Sequence, residues 1–196
     1  MGLGNSGSGK VFIRVINGKL AIRVKEGTSG AIQRILTAGD NEGKVVYEQH
    51  YKFLEGKITK LSYEVKSFGA FIEIEVDDKY VLSVPFKSSM KRNIVSQLPN
   101  VNFALPVKIM AFQDKETSKN VLLIHQNDVK VKFAHTKDNP NGMPTPVEKV
   151  ELGQKIWDYS AIEEFMYNTL LVQIARFNQE NGIEVESDEP DPSEFE

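Results

Sequence analysis

The chain contains no cysteine. That excludes disulfide bonds, thiolate zinc sites and cysteine nucleophiles, and it suits a reducing cytosol. Only three histidines occur, His50, His125 and His135, far apart and outside any metal-ligand spacing. No apolar run approaches the roughly 20 residues of a membrane span, so no membrane partner is expected. The Gly/Ser-rich N-terminus has no apolar segment of the kind a secretory signal needs. No nucleophile, base and orienting group share a sequence cue. The expectation is therefore a cytoplasmic protein that is not an enzyme, with no cofactor and no metal site. Positive charge is also missing from the C-terminal end, where no Lys or Arg follows Arg176.

What is present begins with that charge asymmetry. The 196 residues carry 24 Lys and Arg against 27 Asp and Glu. Seven of the acids lie beyond Gly182, so residues 1–182 carry +4 and the last fourteen carry −7. A basic body joined to an acidic tail points to a partner of defined charge. Hydrophobic residues make up 40%, enough for a real core.

Two short motifs crowd the N-terminus. Gly4 to Val11 reads GNSGSGKV and approaches the phosphate-binding pattern G-x-x-x-x-G-K-[ST]. Val11 occupies the position of the hydroxyl that ligates Mg²⁺, and no buried strand precedes the glycines. The following residues alternate with period two around Asn17-Gly18, a hairpin signal. The stretch therefore reads as a flexible leader over residues 1–9 running into a β-hairpin. Residues 1–6 also fit the myristoylation pattern, without the second anchor that stable membrane attachment needs.

Strand-like segments dominate from there on: a hairpin over 10–25, then KVVYEQHYKF, KITKLSYEV, AFIEIEV, KYVLSVPF, PVKIMAF, NVLLIHQ and VKVKFAH. The glycine-flanked stretch 26–44 is open to a short helix or an irregular strand. Residues 88–98 have helical spacing, with Met90, Ile94, Val95 and Leu98 on one side and Pro99-Asn100 as a stop. Residues 136–148 read as a Pro/Gly/Asn loop. From Ser160 to Gly182 a long helix is expected. Ser160 and Glu163 form its capping box, Ile162, Phe165, Met166, Leu170, Ile174 and Phe177 its apolar stripe, and Asn181-Gly182 its stop. The fold class read from this pattern is mainly β: an OB-fold-like small β-barrel with an N-terminal β-hairpin and a C-terminal α-helix. One domain spans 10–181, and residues 182–196 form a disordered acidic tail.

The strand faces suggest a function. A two-residue turn at Asn17-Gly18 sets Val15 opposite Leu20, Ile13 opposite Ile22 and Val11 opposite Val24, an apolar face that must be buried. The other face carries Phe12, Arg14, Ile16, Lys19, Ala21 and Arg23. Cations beside an exposed ring are what single-stranded nucleic acid needs, phosphates on one and a base on the other. VKVKFAH places Lys130 and Lys132 opposite a face of Val129, Val131 and Phe133. AFIEIEV buries Ala70, Ile72, Ile74 and Val76 and leaves Phe71 as a candidate stacking platform among Glu73 and Glu75. Those two with Asp77 and Asp78 crowd one strand end and read as a solvated strand face plus a turn rather than a cation site. Lys57, Lys60, Lys87, Lys91 and Arg92 complete the candidate nucleic-acid contacts. Asp188, Glu189, Asp191, Glu194 and Phe195 in the tail are candidates for docking a partner protein.

The segment FLEGKITKLSYEVKSFGAFIEIEVDDKYVLSVPFKSS resembles the opening strands of an OB-fold. The tail SDEPDPSEFE is similar to the acidic, phenylalanine-containing tails of bacteriophage single-stranded DNA-binding proteins. Here Phe195 is followed by Glu196, whereas that family often ends on the aromatic. The resemblance implies sequence-independent binding of single-stranded DNA in replication or recombination, in the host bacterial cytoplasm. It also implies a tail that recruits replication or recombination proteins. A different class, a structural or interaction protein such as a virion component, would use the leader, hairpin and long helix as assembly arms.

Overall fold

Asn17 and Gly18 both take positive φ, 48° and 71°, the turn geometry whose twist matches a two-residue hairpin. They join β1 (Val11–Ile16) to β2 (Lys19–Val24) with Ile13 opposite Ile22 and Val15 opposite Leu20, as the alternation predicts. Glycine is required here for a second reason. A Cβ on Gly18 would come within 2.3 Å of the Gln113 backbone nitrogen. The molecule is a computed structural model that describes residues 9–37, 41–151 and 154–183. Apart from Gly9, Gly182 and Ile183, the leader and the acidic tail lie outside the described residues.

The hairpin forms the middle of a seven-stranded sheet of order β3-β4-β2-β1-β8-β7-β6. On one side β2 pairs with β4 (Val45–Tyr51), which carries β3 (Ile32–Ile35) at the edge. The stretch 26–44 thus contributes a strand rather than a helix. On the other side β1 pairs in parallel with β8 (Tyr80–Pro85). An antiparallel meander follows through β7 (Gly69–Val76) to β6 (Ile58–Lys66). Asp77 and Asp78, both at positive φ, make the β7–β8 turn.

A second sheet has the order β11-β10-β9-β5: β11 (Val129–Lys130), β10 (Asn120–Gln126), β9 (Val107–Gln113) and β5 (Phe53–Gly56). The chain from β5 into β6 is one bent strand serving both sheets, with Gly56 at φ 155° in the corner. Between β8 and β9 runs α1 (Ser89–Gln97) with a 3₁₀ turn, Leu98–Asn100, as Met90, Ile94, Val95 and Leu98 predict.

The core lies between the two sheets and the helices. Leu61, Ile72, Ile74 and Leu82 meet Ile109, Leu122 and Ile124, with Ile94 from α1. The terminal helix α2 (Ser160–Asn181) adds Ile162, Met166, Leu170 and Phe177 to it. Burial of each such side chain stabilises the fold by about 1.5–3 kcal/mol relative to exposure. Arg176 ties α2 down further. Its guanidinium donates to the carbonyls of Leu98, Pro99 and Val101 at 2.8–3.0 Å and stacks on Phe103. Gly182, at φ 64°, ends α2 as expected. Among the described residues no helix is long and apolar enough to cross a membrane.

Several expectations are corrected. The fold is mainly β with a C-terminal helix, but its sheets do not close into a barrel. The edge of β8 that would be free for closure is taken by β1. The capping box does not form. Ser160 gives its N–H and hydroxyl to Asp158, while Glu163 pairs with Lys91. The last predicted strand stops at Lys130, so Val129 is exposed instead of sharing a buried face with Val131. A hairpin absent from the sequence reading, β12 (Val147–Glu151) and β13 (Gln154–Asp158), leaves Val150 and Trp157 exposed.

Candidate nucleic-acid interface

Register decides which side chains leave the core. Because Ile13 faces inward with Ile22 and Leu82, its neighbours Phe12 and Arg14 face outward. Phe12 is 50% exposed and Ile13 3%. Across the outer face, Lys60 pairs with Glu75, Glu75 with Val81 and Val81 with Phe12, while Arg23 pairs with Glu48. The sheet is curled. Residues from its opposite margins, Arg34 on β3 and Lys66, Phe68 and Phe71 around the β6–β7 turn, line one cleft with Phe12 and Arg14. The volume of this cleft is about 480 Å³. Phe68 and Phe71 meet edge to face at 5.3 Å, and Lys66 lies over the Phe71 ring at 5.6 Å. Phe68, at the turn, is 71% exposed.

Four carboxylates share this face: Glu64 lies only loosely opposed to Lys60, at 3.8 Å, and the other three are each held closely by a cation. Glu48 is buried and accepts two hydrogen bonds from Arg34, at 2.6 and 3.0 Å. The guanidinium outweighs burial and holds the Glu48 carboxyl below the usual carboxylate range, and it is itself raised by Glu48. His50 lies 3.6 Å from the same carboxylate. Glu75, buried as well, takes Lys10 at 2.6 Å. Glu73 takes Lys66 and, at 3.1 Å, the hydroxyl of Ser83. Glu73 and Glu75 are therefore paired groups rather than a solvated strand face, while Asp77 and Asp78 form the expected turn. Lys10, the lysine of the phosphate-loop-like motif, leads directly into a strand and is tied to Glu75. Among the described residues no carboxylate lies within ion-pair distance of Arg14, Lys19 or Arg23, all exposed.

The remaining candidates separate into groups. Lys60 joins this face and lies 3.8 Å from Glu64, while Lys57 sits exposed at the bend before β6. Lys87 and Arg92 line a different cleft beside α1. Lys91 is withdrawn as a surface contact. It is buried, its Nζ on Glu163 and its charge over the Phe86 ring. An amphipathic reading of α1 could not reveal that α2 covers this position. Lys130 and Lys132 are exposed at the end of the second sheet, Lys130 over Phe133, and share no cleft with Phe12. The tail candidates Asp188, Glu189, Asp191, Glu194 and Phe195 lie outside the described residues. Arg34, Lys66 and Phe68 were missed. Phe68 carried a usable signal, an aromatic between Ser67 and Gly69 at a hairpin tip.

Among the described residues no three His, Cys, Asp or Glu side chains gather as metal ligands. His135 is buried, with Nδ1 3.2 Å from the Pro140 carbonyl and its ring edge to face with Phe165. No family model, no curated protein and no solved structure matches this chain.

Proposed function

We propose that the protein binds single-stranded DNA without sequence preference on the curled face of the seven-stranded sheet, and that it acts by binding rather than by catalysis. The observation that carries this reading is the shared cleft. It gathers three phenylalanines with Arg14, which has no carboxylate partner among the described residues, on a face where Glu48, Glu73 and Glu75 are each paired with a cation. Rings that stack bases and cations that track phosphates are the two parts a sequence-tolerant single-strand site needs.

Topology supports the finer reading of an OB-like fold. The bent strand β5–β6 pairs with β7 on one side and β9 on the other, and α1 falls between β8 and β9. That is the strand order of an OB-fold up to its closing seam. In such folds the face of the second and third strands, here β7 and β8, takes the ligand. The β1–β2 hairpin occupies the seam and extends that face.

A role in phage replication or recombination follows from this reading together with the tail. The seven acids after Gly182, with Phe195, would compete for the groove and dock replication or recombination proteins. The test is a titration of labelled oligonucleotides against salt. Binding should vary little with base sequence, and log K should fall by about 0.7 per neutralised phosphate for each unit of log[salt]. Tight binding to duplex with none to single strands refutes the proposal. A second reading, a structural or interaction protein such as a virion component, is favoured by the hairpin β12–β13, where Val150 and Trp157 stand exposed. Absence of any retention of single-stranded DNA at low salt would leave that reading standing.

A further inference from the structure

A second cleft, of about 500 Å³, opens beside the first. Pro85 and Met90 line the first cleft, and three of the four residues between them, Lys87, Ser88 and Ser89, line the second. Three further segments complete it: Arg92 from α1, Lys119 from the β9–β10 turn and Tyr159 from the residue before α2. Tyr159 is half exposed. The one carboxylate in the cleft, Glu163, is bound to the buried Lys91. Among the described residues Lys87, Arg92 and Lys119 have no carboxylate at ion-pair distance. Arg92 instead rests 3.9 Å from the sulfur of Met143.

We propose that this cleft is a second contact for the same single strand, taking its phosphates on Lys87, Arg92 and Lys119 and one base on Tyr159. This rests on the sheet-face reading and adds length to it. A strand leaving Phe12 and Phe71 across Pro85 meets Lys87 next, because the two clefts are separated only by the turn after β8. The site that results is composite. Short strands are held by the sheet face alone, and longer strands engage both. The bent sheet supplies one part, and the approach of α2 to α1 supplies the other through Tyr159.

The experiment compares two oligothymidylates with the full chain, one of about 5 and one of about 15 nucleotides, near the two ends of the range of footprints of a single OB-like unit, about 4–16 nucleotides. The variants are Lys87→Gln/Arg92→Gln/Lys119→Gln and, separately, Tyr159→Ala, which leaves net charge unchanged. Circular dichroism and thermal melting check that both fold. The triple variant should lower affinity for the long strand about tenfold or more and reduce its log–log salt slope by about 2, three phosphates at about 0.7 each. Tyr159→Ala should weaken the long strand at least about fivefold, the low end for a lost stacked base. Neither variant should change the short strand by more than about twofold. Unchanged binding of the long strand, or equal losses at both lengths, overturns the second contact. Phe12→Ala tests the sheet face separately, because it should weaken both lengths. If it weakens neither, the sheet-face reading fails on its own terms.

Discussion

Phe12 and Ile13 are adjacent on one strand and should separate binding from stability. Phe12 is 50% exposed and Ile13 3%. Burying a whole side chain of this size is worth about 1.5–3 kcal/mol, so truncating a half-exposed ring should cost about 1 kcal/mol of folding free energy. Ile13→Ala removes buried methyl and methylene groups and leaves a cavity beside Leu82, at a cost of about 2–5 kcal/mol. Binding should respond in the opposite order. Losing one stacked base costs about 1–3 kcal/mol, which at about 1.4 kcal/mol per decade is roughly a 5- to 150-fold rise in Kd. Urea denaturation measures the first quantity. Fluorescence anisotropy with an oligothymidylate measures the second, at a temperature where both variants are folded. The reasoning fails if Phe12→Ala melts as Ile13→Ala does, because Phe12 would then be a core residue. It fails equally if folded Phe12→Ala binds as the unaltered protein does.

Three further outcomes are expected. Deleting residues 184–196 should leave the fold intact, since Ile183 N–H already closes α2 on the Asn178 carbonyl. The deletion should tighten DNA binding most at low salt, with the gain fading as screening shortens to about 10 Å near 0.1 M; equal affinities at every salt concentration in a paired titration would deny competition by the tail. Arg34 lowers the Glu48 carboxyl, so the pair contributes stability above the unfolded carboxylate value near 4 and loses it as pH falls through the lower folded value. Urea midpoints from about pH 7 down to 3 should therefore fall less steeply for Glu48→Gln than for the unaltered chain. Gly18→Ala should destabilise by about 1–3 kcal/mol or more, seen as a lowered thermal midpoint, because alanine meets both positive φ and the backbone of Gln113.

What the sequence disclosed was mostly local. The Asn17-Gly18 turn fixed the pairing of β1 with β2, and with it the outward face of Phe12 and Arg14, because a two-residue turn leaves one register. The spacing of Met90, Ile94, Val95 and Leu98 marked α1 for the same reason. Contacts between distant segments could not be read this way. The parallel pairing of β1 with β8 carries no local signature, yet it occupies the outer edge of β8 and places Phe12 beside Val81. Lys91 looked like one basic residue among several until α2 covered it. Arg34 sat in a segment without clear periodicity, and its partner Glu48 lies one strand away. The hairpin β12–β13 was hidden because its first residues fall in a Pro-rich loop and neither of its faces is buried.

If the curled face takes a polyanion as proposed, its acidic residues require an explanation, and the pairing supplies one. Glu48, Glu73 and Glu75 all point to the curled face, but Arg34, Lys66 and Lys10 neutralise them. Two of the pairs also fix a long cationic side chain in the wall of the cleft, Arg34 and Lys66, and Lys66 rests on Phe71. The charge left for phosphate is then small: Arg14, Lys19 and Arg23, with Lys60 loosely opposed by Glu64. Three or four phosphates at about 0.7 each give a log–log salt slope near −2 to −3 for a strand held on this face alone. On the proposed reading, electrostatics of that size is too small to supply a useful affinity alone, so the rings would carry the remainder. Binding should therefore persist at salt concentrations that remove most of the ionic contribution, and that residue should disappear in Phe12→Ala/Phe68→Ala. Salt-resistant binding unchanged by removal of both rings would mean that the bases do not stack in the cleft.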